Sequence, residues 1–126
     1  MVKRRSLRRI GLLTVSVFAA AIWSVNAQAA CTIKVGFIST FEGAFAVLGP
    51  ESFRGAELAL NEFGGKAGGC DIELIKGSSD ARPDVAIAAA RKLVENDNVD
   101  ILVGPLSGSE GLAMKEYAKT QPNKTF

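Results

Sequence analysis

Between residues 32 and 120 a short apolar run gives way, three times over, to a stretch with helical spacing, and that alternation leaves few folds open. Thr32–Ile38 (TIKVGFI) carries Ile33, Val35 and Phe37 on one face and ends apolar, as a buried strand does. Glu51–Phe63 follows with Phe53, Ala56, Leu60 and Phe63 at helical spacing, and Gly64-Gly65 supplies the stop. Asp71–Lys76 (DIELIK) alternates as a second strand, followed by a polar turn, Gly77 to Asp80. Pro83 opens a second helix running to about Glu95, where its missing N–H costs nothing, with Val85, Ala88, Ala89 and Leu93 expected inward. Val99–Val103 (VDILV) is the third strand, Gly104–Gly108 a turn, and Ser109–Thr120 a third helix with Leu112, Met114, Tyr117 and Ala118. Thr125-Phe126 reads as the opening of a fourth strand. Strand and helix in strict alternation predict right-handed crossovers and an α/β fold: an open parallel sheet with helices on both faces. Three strand–helix units leave sheet edges unpaired. The chain is therefore expected to be incomplete, either a truncated reading frame or the front of a longer protein.

The first 29 residues follow a different logic. Lys3, Arg4, Arg5, Arg8 and Arg9 form a cationic start, Ile10–Val25 is apolar, and Ala27 and Ala29 supply the small residues of a cleavage site. A spanning helix needs about 20 apolar residues, and this run has 16 with Gly11, Thr14, Ser16 and Ser24 inside it. The reading is a cleaved secretory signal over residues 1–29 and an exported body from residue 30; an uncleaved anchor is the alternative. Lipidation of Cys31 is disfavoured by Gln28, and twin-arginine export by Gly11. Beyond the leader, 10 basic residues face 13 acidic ones, a net −3. An acidic body argues against a nucleic-acid partner. The chain has no His, and its thiols are Cys31 and Cys70, so a zinc site of Cys/His type cannot be assembled within it. No metal and no cofactor is expected.

Export implies an oxidising compartment, where Cys31 and Cys70 are expected to pair. Each stands immediately before a strand, and parallel neighbouring strands start side by side. Two buried free thiols are the alternative.

In open parallel sheets ligands sit beyond the carboxyl ends of the strands, where the strand order reverses. If the order is 2-1-3, the loops after the first and third strands build the site. The third loop, Gly104–Ser109, runs into a helix N-terminus, which suits an anion, and Ser107 and Ser109 add hydroxyls. Either serine, Ser109 by preference, serves as a helix cap; capping alone and capping with ligand contact both stand. The first loop brings Phe41, Phe45 and Leu48, which either pack under a further part of the protein or wall a pocket. Enzyme motifs fail. Gly36, Gly43 and Gly49 do not form a dinucleotide fingerprint, and no Walker-type lysine follows a glycine run. Ser107-Gly108-Ser109-Glu110-Gly111 has Ser where a nucleophile elbow needs Gly, and no His is present to act as base. Asp80 and Asp84 fit turn and helix-start roles. The chain is not expected to be an enzyme.

Four segments together resemble a known family: Ile33–Ile38 with the Gly-containing loop after it, Phe53–Glu62 (FRGAELALNE), Ala88–Val94 (AAARKLV) and Val99–Pro105 (VDILVGP). The chain is similar to the periplasmic solute-binding proteins of ABC importers, of the leucine/isoleucine/valine-binding type with the type I fold. The resemblance implies a two-lobed periplasmic protein that closes on a small solute and docks on a membrane permease. Residues 30–126 would supply the first part of its amino-terminal lobe. It also implies ligand contacts at Ser107, Gly108 and Ser109, where a serine and backbone N–H groups hold a carboxylate. The family's key serine aligns with Gly108, and an aromatic of the first loop aligns with Leu48. These departures widen the expected ligand from an amino acid to an amide or an aromatic or aliphatic carboxylate. A sensing receptor ectodomain of the same fold is the second reading, and a secreted hydrolase, needing a His from elsewhere, the third.

Overall fold

A computed structural model describes residues 31–126. The expected secretory leader, residues 1–29, lies outside them. Strand β1 (Thr32–Thr40) is followed by a 3-10 turn (Gly43–Phe45) and helix α1 (Leu48–Glu62). A two-residue strand β2 (Lys66–Ala67) then turns into β3 (Cys70–Ser79). Helix α2 (Pro83–Arg91) runs into a π turn (Lys92–Asn96), and β4 (Ile101–Val103) leads to α3 (Gly108–Ala118).

The sheet order is β2-β3-β1-β4. Strand β1 is central and parallel to both β3 and β4, with Thr32 opposite Asp71, Thr40 opposite Ser79, and Val35 opposite Ile101. Leaving β2 aside, this is the 2-1-3 order on which the site reading is conditioned, and the strand order reverses between β1 and β4. Thr125 makes an isolated parallel bridge to Ile101, its carbonyl accepting from the Leu102 N–H at 2.8 Å, at the position read above as the opening of a fourth strand. β2 was not legible: it pairs antiparallel with Cys70 and Asp71 over two residues, too short for alternation to register.

Both long strands run further than their apolar runs. β1 continues through Ser39 and Thr40, and β3 takes in Gly77, Ser78 and Ser79, read above as a turn. Gly77 shows why a glycine belongs inside that strand: a Cβ there would meet Leu93 Cδ1 at 2.8 Å and Ile38 at 3.0 Å. Leu93, in the π turn that follows α2, is thereby seated directly on the sheet.

Residues alternate across the strands, and the two faces are covered unequally. Ile38 and Leu102 face α2 and α3 and form the core with Ala86, Ala90, Leu93, Val94, Val99, Met114 and Tyr117. The π turn sets two consecutive residues, Leu93 and Val94, into that core. The inward face of α2 differs from expectation. In α2 the buried alanines are Ala86 and Ala90, whereas Ala88 is exposed; in α3 Met114 and Tyr117 are buried but Leu112 is 71% exposed. On the opposite face α1 sits alone. Phe53 meets Phe37 edge to face at 5.6 Å, and Ser52 donates or accepts a 2.8 Å bond with Ser39. Phe63, expected inward, is 76% exposed. Gly64 (φ 66°) and Gly65 (φ 72°) end the helix, Gly65 N–H donating to the Leu60 carbonyl at 2.9 Å.

A disulfide joins Cys31 to Cys70, with the Cα atoms 4.7 Å apart. It ties the starts of β1 and β3, and Asp71 N–H donates to the Cys31 carbonyl beside it.

Candidate functional site

Three connections leave the carboxyl edge of the sheet: residues 41–47, 80–82 and 104–107. The first is bound to the end of β3, since the Phe41 and Glu42 N–H groups both donate to the Ser79 carbonyl at 3.1 and 3.2 Å. Ser78 Oγ donates to Glu42 Oε1 at 2.6 Å from the other side. Phe41 turns toward α1, edge-on to Phe53 at 6.2 Å, and the Lys76 ammonium lies 4.7 Å above its ring. Phe45, in the 3-10 turn, is 55% exposed. Leu48 is not a loop residue but the first of α1, and it too is exposed. The helix begins early because Pro50 falls in its first turn, where no intrahelical N–H is required.

The third connection is more ordered than its serines suggested. Ser107, not Ser109, caps α3: it has extended backbone, and its Oγ accepts from the Glu110 N–H at 3.4 Å. Glu110 answers as a capping box does, with Oε2 accepting from the Ser107 N–H at 3.1 Å and from Ser107 Oγ at 2.6 Å. Ser109 lies alongside, its Oγ 3.3 Å from that of Ser107. The Gly111 N–H donates to the Ser107 carbonyl. Of the first-turn N–H groups, those of Gly108 and Ser109 are left without a partner among the described residues, and both residues are exposed. So the edge beyond β4 presents two N–H groups and the Ser109 hydroxyl. Ser107 and Ser109 form one cluster there; Phe41 belongs to a second, with Phe53 and Lys76.

Sequence reasoning missed Glu110, which is wholly buried. Its signal was present, because Ser107-x-x-Glu110 is a capping-box pattern. Also missed were Thr40 and Ser79, paired across β1 and β3 at this edge and fully buried. The Thr40 Oγ1, Ser79 Oγ and Glu110 Oε1 atoms have no hydrogen-bond partner among the described residues.

An apolar cavity lies elsewhere. It measures about 680 Å³, between α1 and the sheet, with Val35, Phe37, Leu60, Ile72, Leu74 and Val103 in its wall. Binding sites combine apolar walls with convergent polar groups; this cleft has apolar walls with Lys66 as its one charged lining residue, and reads as a helix–sheet face left partly open.

Residues 32–123 match the family of periplasmic binding proteins. The chain is 34% identical over 110 residues to the Leu/Ile/Val-binding protein homolog 7 of Brucella abortus (strain 2308), covering 86% of this chain and 27% of that protein. Among solved structures, an ABC transporter substrate-binding protein from Sphaerobacter thermophilus superposes with a TM-score of 0.68 at 32% identity, over 75% of this chain and 25% of that one. A solute-binding protein of an ABC transporter from R. palustris, in complex with benzoate, gives 0.67 at 31%, over 75% and 26%. The chain thus spans about a quarter of the length of these relatives.

Proposed function

The chain belongs to the periplasmic binding protein family, and from that premise we propose that it is the first part of the amino-terminal lobe of a solute-binding protein serving an ABC importer. The leader, residues 1–29, directs export to the periplasm and is removed there. The partner is a membrane permease, and the solute is an amino acid or a related small amide or carboxylate. The relatives named above are a Leu/Ile/Val-binding protein homolog and a benzoate complex, and both names fall within that class.

One observation carries the reading. At the reversal point of a parallel sheet, α3 turns its first N–H groups outward: the Gly108 and Ser109 N–H groups lie free and exposed, beside the exposed Ser109 hydroxyl, which bonds Ser107 Oγ at 3.3 Å. Such a helix start receives the carbonyl or carboxylate end of a small molecule. Ser107 organises the turn, and the exposed Phe45 and Leu48, with Phe41 behind them, supply apolar surface from the neighbouring loop. A second lobe, from the part of the relatives that this chain does not span, closes the other side. A hydrolase would need a base, and the chain has no His.

The test is calorimetric titration of the protein that carries this segment with amino acids, benzoates and their amides. Saturable binding of one solute per protein supports the reading. Binding that survives Ser109→Ala unchanged in a well-folded protein would remove this hydroxyl from the site.

A further inference from the structure

Glu110 is the one carboxylate of the described residues that is completely buried, and it sits in the first turn of the helix that the proposed site uses. Its Oε2 takes both donors of Ser107, the N–H and the hydroxyl, and its Oε1 has no hydrogen-bond partner among the described residues. Among the described residues no lysine or arginine pairs with it. Two consequences follow. The single hydroxyl proton of Ser107 is committed inward, so Ser107 cannot donate to a solute while the box is intact; the Gly108 and Ser109 N–H groups are what remains, joined by the Ser109 hydroxyl when it turns from Ser107 Oγ, 3.3 Å away, to the solute. Second, a helix N-terminus carries the equivalent of roughly half a positive charge. A full negative charge held in the same turn more than offsets it. An anionic solute group would meet good donors against a repulsive field, and a neutral carbonyl would meet the donors alone.

We propose that Glu110 is a specificity-determining residue of the solute site: it fixes Ser107 as a cap and disfavours a carboxylate relative to the matching amide at the start of α3. This rests on the solute-binding reading and adds to it the group that sets the charge preference. Glu110→Gln is the direct test, because glutamine serves at the same capping position and keeps the size while removing the charge. The affinities of wild type and variant are measured for matched pairs, leucine with leucinamide and benzoate with benzamide, within a wider panel of amino acids, carboxylates and amides. The carboxylate-to-amide affinity ratio is expected to rise by about three- to a hundredfold in the variant, the span that a nearby unit charge gives between water-like and protein-like screening. If Glu110→Gln fails to fold, Glu110→Met, of similar length and apolar, replaces it and the same ratio is read. Binding with an unmoved ratio overturns this inference and leaves the solute-binding reading intact. Wild-type protein that binds nothing in the panel overturns both.

Discussion

Gly104 lies so close to Ile38 that a Cβ on it would sit 2.1 Å from the Ile38 carbonyl oxygen. Its φ of 106° is also one that side chains rarely adopt. This contact holds the connection between β4 and α3 flat against β1, and so sets where the first turn of α3 emerges. Gly104→Ala is expected to destabilise the protein by at least ~2 kcal/mol, from overpacking together with an unfavourable backbone. Urea unfolding checks it; a midpoint equal to wild type would mean that the loop is free to move away.

The Cys31–Cys70 disulfide closes a loop with a sequence separation of 39. In the chain-entropy treatment such a link stabilises by about 4 kcal/mol, and engineered cases often give less. Cys70→Ala, or reduction, is expected to lower the unfolding midpoint substantially. Intact mass of exported material should show two hydrogens fewer than the dithiol form and an N-terminus at Ala30, following cleavage after Ala29. Retention of the leader, or labelling of both thiols without reductant, contradicts the corresponding part.

Tyr117 is buried, and its hydroxyl donates to Glu95 Oε1 at 3.3 Å. Burial first, and the Glu95 carboxylate second, raise its pKa above the ordinary 10.0. An acid whose folded pKa is raised contributes stability that is complete below the unfolded pKa and is lost as pH rises through the folded one. The protein is therefore expected to lose stability from about pH 10 upward, and Tyr117→Phe should reduce that loss. Tyr117 is the sole tyrosine, so tyrosinate absorbance reports it directly. Titration at or below the ordinary value in the folded protein would contradict the packing described.

The architecture was legible because strand–helix alternation and crossover handedness are local and cumulative. The pairing of Cys31 with Cys70 follows once the two strands are taken as parallel neighbours, and the order around β1 enters only as a condition. Helix faces were less legible. In Ala86-Ile87-Ala88-Ala89-Ala90 small apolar residues occupy every side, so periodicity cannot choose Ala86 and Ala90 over Ala88. The cap of α3 was readable yet misread: Ser107 and Ser109 both suit the position, and only Glu110, three residues after Ser107, decides between them. That Phe41 faces Phe53 and Lys76 was beyond local reading, since Lys76 comes from a different strand.

If Ser107 is the cap and Ser109 the ligand hydroxyl, the two serines separate by readout. Ser107→Ala is expected to cost about 1 kcal/mol of stability. Ser109→Ala should leave stability within about 0.5 kcal/mol, as for an exposed surface position, and weaken solute binding by about three- to tenfold for the loss of one neutral hydrogen bond. Thermal unfolding and calorimetry on the same samples distinguish the two; the reverse pattern would return Ser107 to the ligand.

The central claim is that the start of α3 receives the polar end of a small solute. Its most direct measurement is the backbone amide NMR spectrum of the isotopically labelled protein during titration with the solute found by calorimetry. The Gly108 and Ser109 N–H signals are expected to shift with solute occupancy, and those lining the cleft beneath α1, such as Leu60 and Leu74, to stay in place. Saturable binding that leaves Gly108 and Ser109 unmoved while the α1 cleft responds would contradict the claim.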